Sequence, residues 1–115
     1  MFFAKITVLG TKNQDIDALV DTGASETLVD NDTCIDMGLT FLGARDRLCV
    51  HGDSKPHPLY EGGIQVADYY KKDARIFGLT LELNGKRIEG VLGRDIMSNF
   101  KLVIDWKTSS GQLER

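Results

Sequence analysis

Short apolar runs that alternate residue by residue set the narrowest limit on what this chain can fold into. From Phe3 to Leu9 the apolar side chains Ala4, Ile6 and Val8 fall on every second position, and from Asp15 to Asp21 Ile16, Ala18 and Val20 repeat the pattern. A strand turns successive side chains to opposite faces, so this period predicts two half-buried strands rather than a helix. The polar stretch GTKNQ between them predicts a hairpin turn, and the second strand ends at Asp21. Thr27 to Val29 reads as a further short buried strand. Twelve glycines scattered among such runs strengthen the β reading.

Between the strands, Asp30 or Asn31 is placed to cap a short helix that Gly38 ends. Leu39 to Leu42 and Leu48 to Val50 are apolar again. From Cys49 to Val66, Gly52-Asp53 and two prolines, Pro56 and Pro58, interrupt an otherwise extended stretch. Two arms meeting at an exposed tip are expected there, with His51 and His57 on its surface, because proline cannot donate within a central ladder. Ile76 to Leu92 reads as a hairpin turning at Asn84-Gly85, the favoured two-residue pair. That register sets Leu81 opposite Ile88 and Glu82 opposite Arg87, an apolar pair and a salt pair. Asp95 is placed to cap a turn or two of helix. Phe100, Leu102, Ile104 and Trp106 alternate in a last strand, with Trp106 expected to close the core and the polar tail from about residue 107 expected to fray.

The 115 residues allow one domain with a core of its own, and an apolar share of 42% with 27% charged residues is ordinary for a globular chain. A net charge of −3 offers no basic field for nucleic acid or anionic lipid. Cys34 and Cys49 form neither a disulfide framework nor a metal spacing with His51 and His57, so no metal or cofactor is expected. Lys5 breaks the apolar start MFF, and no run approaches the ~18 apolar residues of a membrane span. The expectation is a soluble, cytoplasmic domain, either alone or within a longer protein.

The chemistry concentrates at LVDTGASETLVD, residues 19–30. A strand ending in Asp21-Thr22-Gly23 presents a carboxylate at a turn. Gly23 lets the backbone approach, so its N–H can point at that carboxylate. Thr22 supplies a hydroxyl, and Leu19, Val20 and Ala24 keep the surroundings dry. One aspartate is a modest catalyst. Two carboxylates about 3 Å apart share one proton and divide the work, one as base toward a water and the other as acid toward a carbonyl oxygen. DTG occurs once, and Asp95 has different surroundings, so a partner for Asp21 has to come from a second copy across a two-fold axis.

Together, ALVDTGASETLV and GVLGRDIMSNFKLVID resemble the retropepsin family of retroviral and retroviral-like aspartic proteases, over Ile6 to about Trp106. The resemblance implies a mostly β, closed barrel-like acid protease fold with one or two short helices, working as a homodimeric endopeptidase on extended polypeptides. It makes Asp21 catalytic, with Thr22, Gly23 and Ala24 supporting the catalytic loop. Val91, Leu92 and Gly93 pack beneath that loop and Arg94 braces it. Substrate contacts are expected from Ser25 and Glu26, from a flap that includes Gly52, Asp53 and Ser54, and from Tyr60 and Leu92. Where Ser25 stands, family members often carry an acid that pairs with the arginine, so Arg94 needs another partner, Glu26 or a backbone carbonyl. A catalytically silent dimer that binds a peptide or protein in the same cleft is the alternative.

Overall fold

The structure, a computed structural model, describes residues 2–48, 54–108 and 110–115, with 47, 48 and 54 by backbone alone. Strands β1 (Phe3–Leu9) and β2 (Asn13–Val20) form the expected hairpin, in register from Phe3 opposite Leu19 to Leu9 opposite Asn13. After β3 (Leu28–Asp30), helix α1 (Asn31–Asp36) and β4 (Thr40–Leu48) come the two long strands β5 (Ser54–Val66) and β6 (Tyr69–Leu79). Then follow the short strands β7 (Leu81–Leu83), β8 (Lys86–Ile88) and β9 (Gly90–Leu92), helix α2 (Arg94–Met97), β10 (Lys101–Asp105) and β11 (Ser110–Glu114).

Six strands close into a barrel in the order β1-β2-β9-β3-β6-β5, with β5 returning to β1 through Thr7–Leu9 and Gly63–Gln65. Closure pairs strand edges that would otherwise stay open. The period-2 residues fill the interior: Ile6 and Val8, Ile16 and Ala18, Val29, Ile64 and Val66, Ala74 and Ile76, and Leu92 are all buried. Fully burying one such aliphatic side chain is worth roughly 1.5–3 kcal/mol.

The neighbours of several core residues turn outward and form a second apolar cluster. Leu28, Leu59, Phe77 and Val91 gather there with Leu81, and Leu19, Ala24 and Ile88 pack against them. The β7–β8 hairpin brings Leu81 and Ile88 to this face. This second layer explains why β3 and β9 read as unbroken apolar pairs, Leu28-Val29 and Val91-Leu92, rather than as alternation. A strand covered on both faces needs apolar residues on both.

The hairpin turn at Asn84-Gly85 forms with both residues at positive φ, 53° and 78°, and with Leu81 opposite Ile88 and Glu82 opposite Arg87. The hairpin is shorter than Ile76–Leu92, because β3 inserts between β6 and β9. The expected Glu82–Arg87 salt pair gives way to another. Arg87 reaches Asp30 at 2.7 Å and Asp32 at 3.0 Å, and these two carboxylates raise its pKa. Asp30 does stand at the N-cap of α1, but its side chain makes no capping bond, being taken by Arg87. Gly38, at φ 69°, ends that helix as expected.

The two arms of the expected flap are β4 and β5, paired from Thr40–Glu61 to Leu48–Ser54 with a bulge between Phe41 and Ala44. Pro56 and Pro58 sit opposite Asp46 and Ala44, inside an arm rather than at the tip. They are tolerated because β6 joins β5 only from Leu59 onward, so the prolines meet a neighbour on one side alone. The tip itself, residues 49–53, lies outside the described residues.

Two expectations for the C-terminal region are overturned. The polar tail does not fray but forms β11, paired with β10 from Lys101–Glu114 to Asp105–Ser110. Leu113 and Phe100 pack against the barrel core, Phe100 meets the Tyr69 ring edge-on at 5.4 Å, and Arg115 lies 5.1 Å over Tyr69. A single apolar residue, Leu113, anchors the strand, too little for a periodic signal. Trp106 does not close the core. It follows β10 at the start of the β10–β11 turn and is 82% exposed.

Candidate functional site

Asp21 stands where β2 leaves the barrel. Val20 is the last residue in parallel register, opposite Leu92, and the Asp21 N–H still donates to the Leu92 carbonyl at 3.3 Å. The chain then turns back, with Ala24 N–H donating to the Asp21 carbonyl at 3.1 Å. Within the turn the Gly23 N–H donates to Asp21 Oδ1 at 2.9 Å, the contact that the glycine was expected to allow. The carboxylate is half-buried. Among the described residues its Oδ2 makes no hydrogen bond.

Helix α2 holds this loop from behind. The Arg94 N–H donates to the Ala24 carbonyl at 2.8 Å, and the guanidinium Nη1 donates to the Thr22 carbonyl at 3.4 Å. Of the two partners expected for Arg94, a backbone carbonyl is the one it finds. Gly93 lies against the Glu26 backbone so closely that a Cβ there would overlap the Glu26 carbonyl.

A polar clamp between buried Thr27 and exposed Asp95 joins the same two segments and was not expected. Thr27 is 1% exposed. Its hydroxyl donates to Asp95 Oδ1 at 2.7 Å and accepts from the Gly93 N–H at 3.2 Å, while its own N–H donates to Asp95 Oδ2 at 3.1 Å. Asp95 also accepts from Ile96 N–H at 2.9 Å, but it does not cap the helix as expected: Gly93 holds the N-cap position, no side chain makes a capping bond, and Asp95 lies inside the first turn. The available signal was a threonine heading an apolar triplet. A hydroxyl carried into an apolar layer needs a partner, and GRD holds the carboxylate that supplies one.

The remaining candidates fall in different places. Ser25 is exposed beside the turn, and Glu26 is half-buried with its backbone against Gly93. Leu92 is fully buried in the barrel core, so it supports the site from beneath and does not meet a ligand. Val91, one residue earlier, faces the second cluster near Ala24. Tyr60 is 6% exposed, also in the barrel core, with its hydroxyl donating to Asn31 Oδ1 at 2.9 Å. Gly52 and Asp53 lie outside the described residues, as does the Ser54 side chain.

Beside the loop is an apolar cavity of about 280 Å³ between Thr22, Arg94, α2 and the β10–β11 hairpin. Among the described residues, no helix is long and apolar enough to cross a membrane. One chain thus supplies a single carboxylate on a turn braced by backbone hydrogen bonds and the Thr27–Asp95 clamp. Comparison with models of known protein families and with curated proteins finds no match for this chain.

Proposed function

We propose that this chain is an aspartic endopeptidase of the retropepsin kind, active as a homodimer. The observation that carries the reading is the Asp21 turn: a carboxylate fixed by Gly23 N–H at a strand end, with Arg94 holding the carbonyls on either side of Gly23. A group held this way loses little freedom on reaching the transition state. A catalytic dyad needs a second, equivalent carboxylate, and two copies related by a two-fold axis through the turn supply it.

In the dimer the two Asp21 carboxylates share one proton and titrate as a unit. The ionised one takes a proton from a water, which attacks the peptide carbonyl. The protonated one donates to the carbonyl oxygen, and a proton later passes to the leaving nitrogen. The substrate binds extended, adding main-chain hydrogen bonds as a strand does. On this reading the β4–β5 hairpin closes over it.

The test is cleavage of a peptide library from acid to neutral pH by the wild type beside Asp21→Asn. Cleavage by the wild type alone supports the proposal. Equal cleavage by both refutes it, and tight peptide binding without turnover by either makes the chain a binding module.

A further inference from the structure

Trp106 is the largest side chain that the fold leaves outside, at 82% exposure. It is also the only tryptophan in the chain. Nothing within the described residues uses it, and its neighbours Asp105 and Lys107 are exposed as well. At the other end of the same hairpin, Leu102 and Leu113 wall the apolar cavity of about 280 Å³, with Thr22, Arg94, Met97 and Phe100 on its other sides. That volume is enough to admit an aromatic ring. An adjoining crevice, reached past the same Leu102 and Leu113, runs to Phe2 and Phe3, and Phe3 is 48% exposed. One element therefore carries an unfilled hole at its base and an unburied knob at its tip.

A two-fold interface is self-complementary: each copy presents both the projecting group and its receptor. We propose that Trp106 of each copy inserts into the cavity beside Thr22 of the other. The occupant is a second copy because the cavity is bounded by Thr22 and Arg94, the residues of the loop that is incomplete without a second carboxylate. Strand β10 separates Leu102 from Trp106 by four residues, about 13 Å of extended chain. That distance keeps the indole of Trp106 out of the cavity of its own chain. This inference rests on the dimeric reading of the site but adds the device that assembles it.

The single tryptophan makes the test direct. On raising the protein concentration, sedimentation should show monomer passing to dimer while Trp106 emission shifts to the blue with the same midpoint. Trp106→Ala should weaken dimerisation about 30-fold or more, the size expected of a buried aromatic anchor. Ser98→Phe, which fills the cavity from its exposed rim, should weaken it comparably in a chain that keeps Trp106. Asp21→Asn should remain dimeric, which separates assembly from catalysis. A wild type that stays monomeric, or a dimer whose affinity and emission ignore both Trp106→Ala and Ser98→Phe, overturns the inference. If those variants dissociate the dimer while Asp21→Asn still cleaves peptide as the wild type does, the docking stands and the catalytic reading fails.

Discussion

Replacing Thr27 by valine tests whether the Thr27–Asp95 clamp holds the Asp21 turn. Valine has nearly the shape of threonine, so packing in the 1%-exposed site changes little. Two hydrogen bonds disappear, the 2.7 Å bond to Asp95 and the 3.2 Å bond from Gly93 N–H. A bond to a charged group contributes about 1.5–3 kcal/mol, and a buried N–H left without a partner costs about 1–3 kcal/mol. One hydroxyl serves both, so the terms do not simply add. Asp95 is exposed and its carboxylate regains water, so the expected loss is about 1–3 kcal/mol. Thr27→Ser keeps the hydroxyl and removes one methyl, a change expected to cost about 0.5–1.5 kcal/mol by comparison with other buried methyl deletions. Equilibrium urea unfolding of both variants at matched slopes measures the difference. The reasoning is refuted if Thr27→Val proves as stable as Thr27→Ser, since the clamp would then contribute nothing beyond shape.

The two loop glycines should separate stability from activity. Gly93→Ala drives a methyl into the Glu26 carbonyl, which neither backbone can yield easily, and should cost about 3 kcal/mol or prevent folding. Gly23→Ala meets only Asp21 Oδ1, at 3.2 Å, so it should melt near the wild type while cleavage falls, and the reverse order of stabilities would contradict the geometry. Cys34 predicts the alkaline limit. Burial first, and then the nearby Asp30 charge, pushes its pKa from 9.0 up to about 12. Below pH 9 both folded and unfolded chains keep the proton and this contribution is whole; between pH 9 and about 12 only the unfolded chain releases it, so stability falls. In a Cys49→Ser background that fall should be absent from Cys34→Ala, and alkylation of Cys34 at pH 8 should be no faster than unfolding.

Alternation made the barrel legible because a closed sheet is itself a period-2 object. Ile6, Val8, Ile16 and Ala18 point inward for the reason they were noticed. The Asn84-Gly85 turn was legible because few residue pairs accept positive φ twice in succession. What escaped was decided by partners far along the chain. Arg87 has Glu82 opposite it on the neighbouring strand, yet it turns to Asp30 and Asp32, more than fifty residues away, where two carboxylates outcompete one. Trp106 continues the alternation of β10, and alternation says which face a residue takes but not whether anything covers that face. Leu92 lies in the barrel core, although it was expected among the substrate contacts, because two apolar neighbours such as Val91 and Leu92 do not reveal which of them faces the barrel.

On the proposed reading, the position of Ser25 bears on how activity and assembly are linked. Where an acid holds the arginine, the brace is a pair of opposite charges between side chains. Here Arg94 works through carbonyls, by its own N–H on Ala24 and its guanidinium on Thr22, and the Thr27–Asp95 clamp closes the same junction. All of these contacts lie within one chain. The Asp21 turn is therefore held by contacts that a single chain supplies, and none of them involves the exposed side chain of Ser25. On the proposed dimeric reading, dissociation removes the second carboxylate but leaves each turn formed. Activity should then fall with dilution as dimer does, and return on concentration without a slow refolding step. Loss of Thr27 or Gly93 acts differently, since it damages the turn itself, and added concentration does not restore what it takes away.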